Sequence, residues 1–172
     1  MASLYMLIIM LILFLLQLLF GSVALHLPLC LGGVFYISIA YSWRQGIFWG
    51  VLCGISLDLF YFREFFMSAW AFIAVVILAE YWMRKNDMRH LRNSVVPGAM
   101  IALISVLPVW IYKMYTYNDD LIAVYKNMLP VTIFVLCLNT LILPFMVLTL
   151  DEIGEKIKLP LFSNASKRLL ED

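Results

Sequence analysis

Charge is what this chain has least of. Only 13% of its 172 residues are Asp, Glu, Lys or Arg, about half the roughly 25% of an ordinary soluble domain. The 12 basic and 11 acidic side chains nearly cancel, leaving a net charge of +1. There is no basic field to collect phosphates, which excludes a nucleic-acid binder. Catalytic signatures are scarce too. The chain has two histidines, His26 and His90, and no His-Glu-x-x-His pattern for a zinc-protease helix. No glycine loop followed by lysine is present to cradle a phosphate. Gly54-Ile55-Ser56 has part of a nucleophile motif, but the glycine after the serine is missing and neither histidine falls at that depth. The three cysteines, Cys30, Cys53 and Cys137, lack metal or redox spacing. They read as small apolar packing groups. The pair Asp119–Asp120 reads as solvated loop acids. No enzyme, cofactor or metal is expected.

Apolar side chains are there in excess, at 65% against the usual 45–50% or so. A domain of this size buries only about two-thirds of the surface its chain exposes. Water could not accommodate the remainder, so the composition points to an all-α integral membrane protein. A helix crosses the hydrocarbon layer with about 20 mostly apolar residues. Charges and helix breakers divide the chain into six such spans at about 4–20, 29–43, 46–61, 65–83, 95–114 and 128–150, with a tail at 151–172. Pro28 suits the first turn of the second span, and Pro108 is expected to kink the fifth. Ser22-Val23-Ala24 resembles a signal-peptidase site, but no Lys or Arg precedes the first span and its apolar run is long, so an uncleaved anchor is the expectation. The chain has no low-complexity stretch and no internal repeat of the kind that builds two-halved transporters.

Cytoplasmic loops retain the excess of Lys and Arg. With the N-terminus inside, the inner segments hold Arg44, the loop residues Arg84, Lys85, Arg89 and Arg92, and the tail residues Lys156, Lys158, Lys167 and Arg168. The outer segments hold only Arg63, Lys113 and Lys126. Nine against three places both termini in the cytoplasm. Trp43, Tyr61, Tyr81, Trp82, Trp110 and Tyr112 fall near span ends and read as an interfacial aromatic belt.

Polar groups inside spans are expensive, which makes each a functional candidate. Gly46, Gly50, Gly54 and Asp58 recur at every fourth residue and share one helical face. Glycines at that spacing admit a neighbouring backbone closely. Asp58 lies about 20 Å along the helix from Arg44, at the outer end of this stripe. Asp58 is read as helix glue, neutral or paired, holding this helix against another through Lys113, Arg63 or a Tyr hydroxyl. Partner binding and proton or substrate handling are the alternatives. Glu80 stands four residues before Arg84, the favourable order for an i,i+4 pair. Gln17 and Asn139 are amides able to hydrogen-bond between helices.

The segment from Arg44 to Lys85 carries a family likeness. A polar divider, Gly-x-x-x-Gly-x-x-x-Gly-x-x-x-Asp-Leu from Gly46 to Leu59, and a further apolar helix ending in basic residues resemble the bacterial rod shape-determining protein MreD. The motif covers about a quarter of the chain, and the rest is similar in architecture alone. One departure comes after Asp58-Leu59. Family members commonly carry a glycine in the next turn, whereas this chain has Tyr61-Phe62-Arg63-Glu64-Phe65-Phe66. The resemblance implies a compact six-helix bundle, similar to the substrate-binding subunits of energy-coupling-factor vitamin transporters. It also implies a non-enzymatic component of the cell-elongation machinery in the bacterial inner membrane, binding MreC and other membrane proteins of that complex and helping to organise peptidoglycan synthesis and cell shape. The basic loop and tail would then face cytoplasmic partners or anionic headgroups of the lipid bilayer, at about 1 kcal/mol per charge. The alternative is a small-molecule-binding subunit of a transporter, for which Asp58, Gln17 and Lys113 are the candidate polar groups.

Overall fold

The computed structural model describes residues 2–22, 27–61, 67–85, 92–116, 121–157 and 159. Among these residues the fold is all-helical: α1 (Ala2–Ser22), α2 (Leu29–Ala40), α3 (Trp43–Phe60), α4 (Met67–Lys85), α5 (Arg92–Thr116) and α6 (Leu121–Lys156). Three stretches, within α1, α5 and α6, are long and apolar enough to cross a membrane. Lipid-like exteriors are not confined to those three. Trp70 and Ile77 on α4 are 74% and 65% exposed, and a helix apolar on its outer face as well as its inner one suits hydrocarbon rather than water.

α2 is the hub. All 12 of its residues are buried, and it touches each of the other five helices. At 1.5 Å per residue it is only about 18 Å long, too short to cross a layer of about 30 Å unaided. The second span expected at 29–43 therefore stops early, because Ser42 caps the next helix. Its side-chain oxygen accepts from the Gln45 backbone N–H at 3.4 Å. Arg44 and Gln45, expected to divide two spans, instead form the first turn of α3. At its other end α2 has Pro28 as N-cap and no capping side chain of its own. Gln17 of α1 supplies the missing acceptor, with its Oε1 taking the Cys30 N–H at 2.8 Å.

α6 departs from expectation in the opposite direction. It covers 36 residues rather than 128–150 and is about 54 Å long. Its first turns, expected as polar loop, are held by Tyr125, whose ring meets Trp110 of α5 edge-on at 4.8 Å. Its last turns, expected as tail, are held by Asp151, which accepts a hydrogen bond from Tyr36 of α2. The helix closes at Gly154, whose carbonyl accepts from the N–H groups of Ile157 and Leu159. The rest of the expected tail, residue 158 and residues 160–172, lies outside the described residues. Pro97 and Pro108 lie inside α5, and Pro130 and Pro144 inside α6. Each removes one backbone donor from its helix.

Successive helices alternate in direction. Tyr5 near the start of α1 donates to the Leu150 carbonyl near the end of α6 at 2.9 Å, so the first and last helices share one end of the bundle. The end of α1, the start of α2, the end of α3 and the start of α4 meet at the other end, around a common cavity. Of the basic residues, Arg44, Arg84, Lys85 and Lys156 belong to the Tyr5 end, and Lys113 and Lys126 to the cavity end.

Candidate functional site

The glycine stripe is buried inside the fold. A methyl group on Gly54 would stand 2.8 Å from the Cα of Ala69, a backbone atom of α4 that cannot move aside alone. At Gly50 it would meet the Cβ of Phe72 at 3.2 Å and the Cγ1 of Val34 at 3.4 Å. At Gly46 it would press on Ser38, with the Ser38 Cα only 3.3 Å away. The stripe thus seats α3 against α2 and α4 of the same chain, at spacings that a larger side chain would widen.

Asp58 completes that seat. It is 1% exposed, and its Oδ2 accepts from the backbone N–H of Ser68 at 3.1 Å. Ser68 is the second residue of α4, where N–H groups have no partner within their own helix and the helix dipole favours an anion. The aspartate at the end of α3 therefore acts as an N-terminal cap for α4. The partners considered from sequence were side chains. The backbone partner was not legible, because it requires the two helix ends to be placed together first.

The two amides bridge helices. Gln17 joins α1 to the start of α2 through its bond to Cys30. Asn139 is buried, and its Nδ2 donates to the Gly98 carbonyl of α5 at 2.8 Å, where α5 and α6 approach closely around Gly98. Trp110 does more than mark an interface. Its Nε1 donates to Thr132 Oγ1 on α6 at 2.9 Å.

Among the cytoplasmic-loop candidates, Arg84 and Lys85 lie exposed in the last turn of α4. Arg84 donates from Nε and Nη2 to Glu80 Oε1 at 3.0 and 2.9 Å. Lys85 donates to the Tyr81 hydroxyl at 2.7 Å. That hydroxyl, an acceptor for the ammonium, raises the lysine above its ordinary value. Arg92 opens α5, and Arg89 lies outside the described residues, as do Arg63, Asp119, Asp120 and both histidines.

Sequence reasoning missed a polar clamp at the Tyr5 end. Tyr36, buried in α2, donates to Asp151 Oδ1 on α6 at 3.0 Å, one residue along the chain from the Leu150 carbonyl that Tyr5 meets. Three helices are pinned by two tyrosine hydroxyls. The available signal was a tyrosine well inside the apolar run of the second span, where a belt residue has no reason to sit.

At the opposite end the described residues surround a space. A cavity of about 330 Å³ is lined by residues of all six helices. Gln17, Ser68, Ser105 and Lys113 contribute polar groups, while Phe72 and Val135 are among its apolar walls. Gln17 and Lys113, far apart in sequence, are brought together here. Asp58 sits behind the cavity at Ser68 rather than in its lining.

Fold and site together define, among the described residues, an all-helical bundle with helices of membrane-crossing length, clamped by tyrosine hydroxyls at one end and enclosing a cavity shared by all six helices at the other. Compared with known proteins, the chain matches no family model, no curated protein and no solved structure.

Proposed function

We propose that this protein is a non-enzymatic scaffold of the bacterial inner membrane, similar to MreD, that binds MreC and helps organise peptidoglycan synthesis in the cell-elongation complex. In this reading the chain crosses the bilayer six times. The Tyr5 end, with Arg44, Arg84, Lys85 and Lys156, is cytoplasmic by the excess of basic residues. α2 crosses as a short helix because its ends are enclosed by protein, where non-helical backbone is tolerated at membrane depth. The observation that carries the proposal is the Gly46–Gly50–Gly54–Asp58 element. It is the segment that resembles MreD, and its side-chain geometry makes a rigid three-helix seat and a helix cap. Such a seat supports a fixed outer surface for partner spans. Depletion of the protein from its native cell is expected to round the cells and disperse new wall synthesis, and tagged protein is expected to retain MreC. Unchanged cell shape and wall synthesis after depletion would overturn the proposal.

A second reading, a small-molecule-binding subunit of a membrane transporter, is favoured by the cavity. Its lining includes Gln17 and Lys113, two of the three polar side chains this reading requires. Saturable uptake that depends on the protein is its test, and its absence across candidate solutes counts against it.

A further inference from the structure

The cavity has a chemical bias. Lys113 is the only ionic side chain among the described residues that line it. Among the described residues Lys113 forms no ion pair. An ammonium facing a partly enclosed apolar space is costly unless an anion meets it. Gln17 leans the same way, since its carbonyl oxygen is committed to Cys30 and its amide N–H groups are left to donate. Ser105 spends its proton on the Ala102 carbonyl at 2.7 Å and takes no part in meeting an anion. Beyond them the lining turns apolar, with Phe72, Val106, Val131 and Val135. The volume, about 330 Å³, is at the small end of ligand pockets, which run from about 300 to 1,000 Å³.

We propose that this cavity binds an amphiphile with an anionic head, the Lys113 ammonium pairing with the head and the valine-rich wall taking the apolar tail. The proposal rests on the second reading only in requiring that the cavity hold a ligand. It is equally compatible with a scaffold that carries one. Lys113 also lies in the last turn of α5, where a cation suits the helix dipole, so the test separates binding from stability.

The full chain, purified in an uncharged detergent, is titrated with decanoate, with decanol and with phosphatidylglycerol, and retained molecules are counted by native mass spectrometry. One decanoate per chain is expected, held at least about tenfold more tightly than decanol, as charge-assisted hydrogen bonds allow. Lys113→Gln is expected to weaken decanoate to the level of decanol while the empty protein stays folded, with at most the small loss of melting temperature that a helix-dipole contact accounts for, and Lys113→Arg to restore both. Phosphatidylglycerol retained with the same Lys113 dependence assigns the head to a membrane lipid, and decanoate alone to a free carboxylate. Val109→Trp and, independently, Ser105→Phe fill the space and are expected to exclude both probes. Equal binding of decanoate and decanol, lost in the filled variants, overturns the anionic head and leaves the binding reading intact. Binding unaffected in a folded filled variant overturns both.

Discussion

The two ends of this bundle are closed by different physics. At the Tyr5 end, tyrosine hydroxyls from α1 and α2 reach acceptors on α6, and the core between them is dense. At the other end the same helices meet around unfilled space, although Asp58 and Gln17 cap the helices that border it. Polar contacts join helices at both ends, but the space that all six helices share lies at the cavity end alone among the described residues. Capping fixes where a helix starts, whereas filling depends on which side chains point inward.

α4 runs through both environments and offers the sharpest contrast. Ala79 is fully buried toward the Tyr5 end, whereas Ala71 borders the cavity. Ala79→Leu is expected to destabilise by about 3 kcal/mol, the upper part of the usual overpacking range, and Ala71→Leu by less than about 1 kcal/mol. Thermal unfolding in detergent measures both, and equal losses would erase the distinction between the ends. The cavity end is nevertheless rigid where backbones touch. Gly54→Val should cost about as much as Ala79→Leu, because Ala69 presents main chain to it, and folded yield after purification reports it.

Smaller effects test the clamp and the surface. Tyr36→Phe removes the hydroxyl from Asp151 and is expected to cost about 1 kcal/mol, in keeping with hydrogen bonds between helices in membranes. Adding Asp151→Asn to that variant should cost much less than it does alone, which a double-mutant cycle reads directly. Independent losses would mean that the clamp does not couple α2 to α6. At the bottom of the range is the exposed Glu80–Arg84 pair. Glu80→Gln should change stability by less than about 0.5 kcal/mol, and by less still in high salt.

Much of the helical layout was legible because it depends on local rules. Apolar runs punctuated by charge located each of the six helices among the described residues, and the four-residue spacing of Gly46, Gly50, Gly54 and Asp58 marked a single face. The boundaries misread were set by side chains that act outside their own apolar run. α2 ends at Ala40 because Ser42 caps the start of α3. α6 outlasts its apolar stretch because Trp110 anchors one end and Tyr36 the other. None of these contacts leaves a periodic trace.

By itself the sequence determined the apolar exterior and the helical class, for each depends on composition or on spacing along one helix. Only the tertiary structure decided what those parts do for one another. It turned the glycine stripe inward, gave Asp58 a helix terminus to cap, and joined Tyr36 to Asp151 across 115 positions of chain. It also left a space beside Lys113. A cavity is a deficit of packing among six helices, and the residues of no single helix encode it.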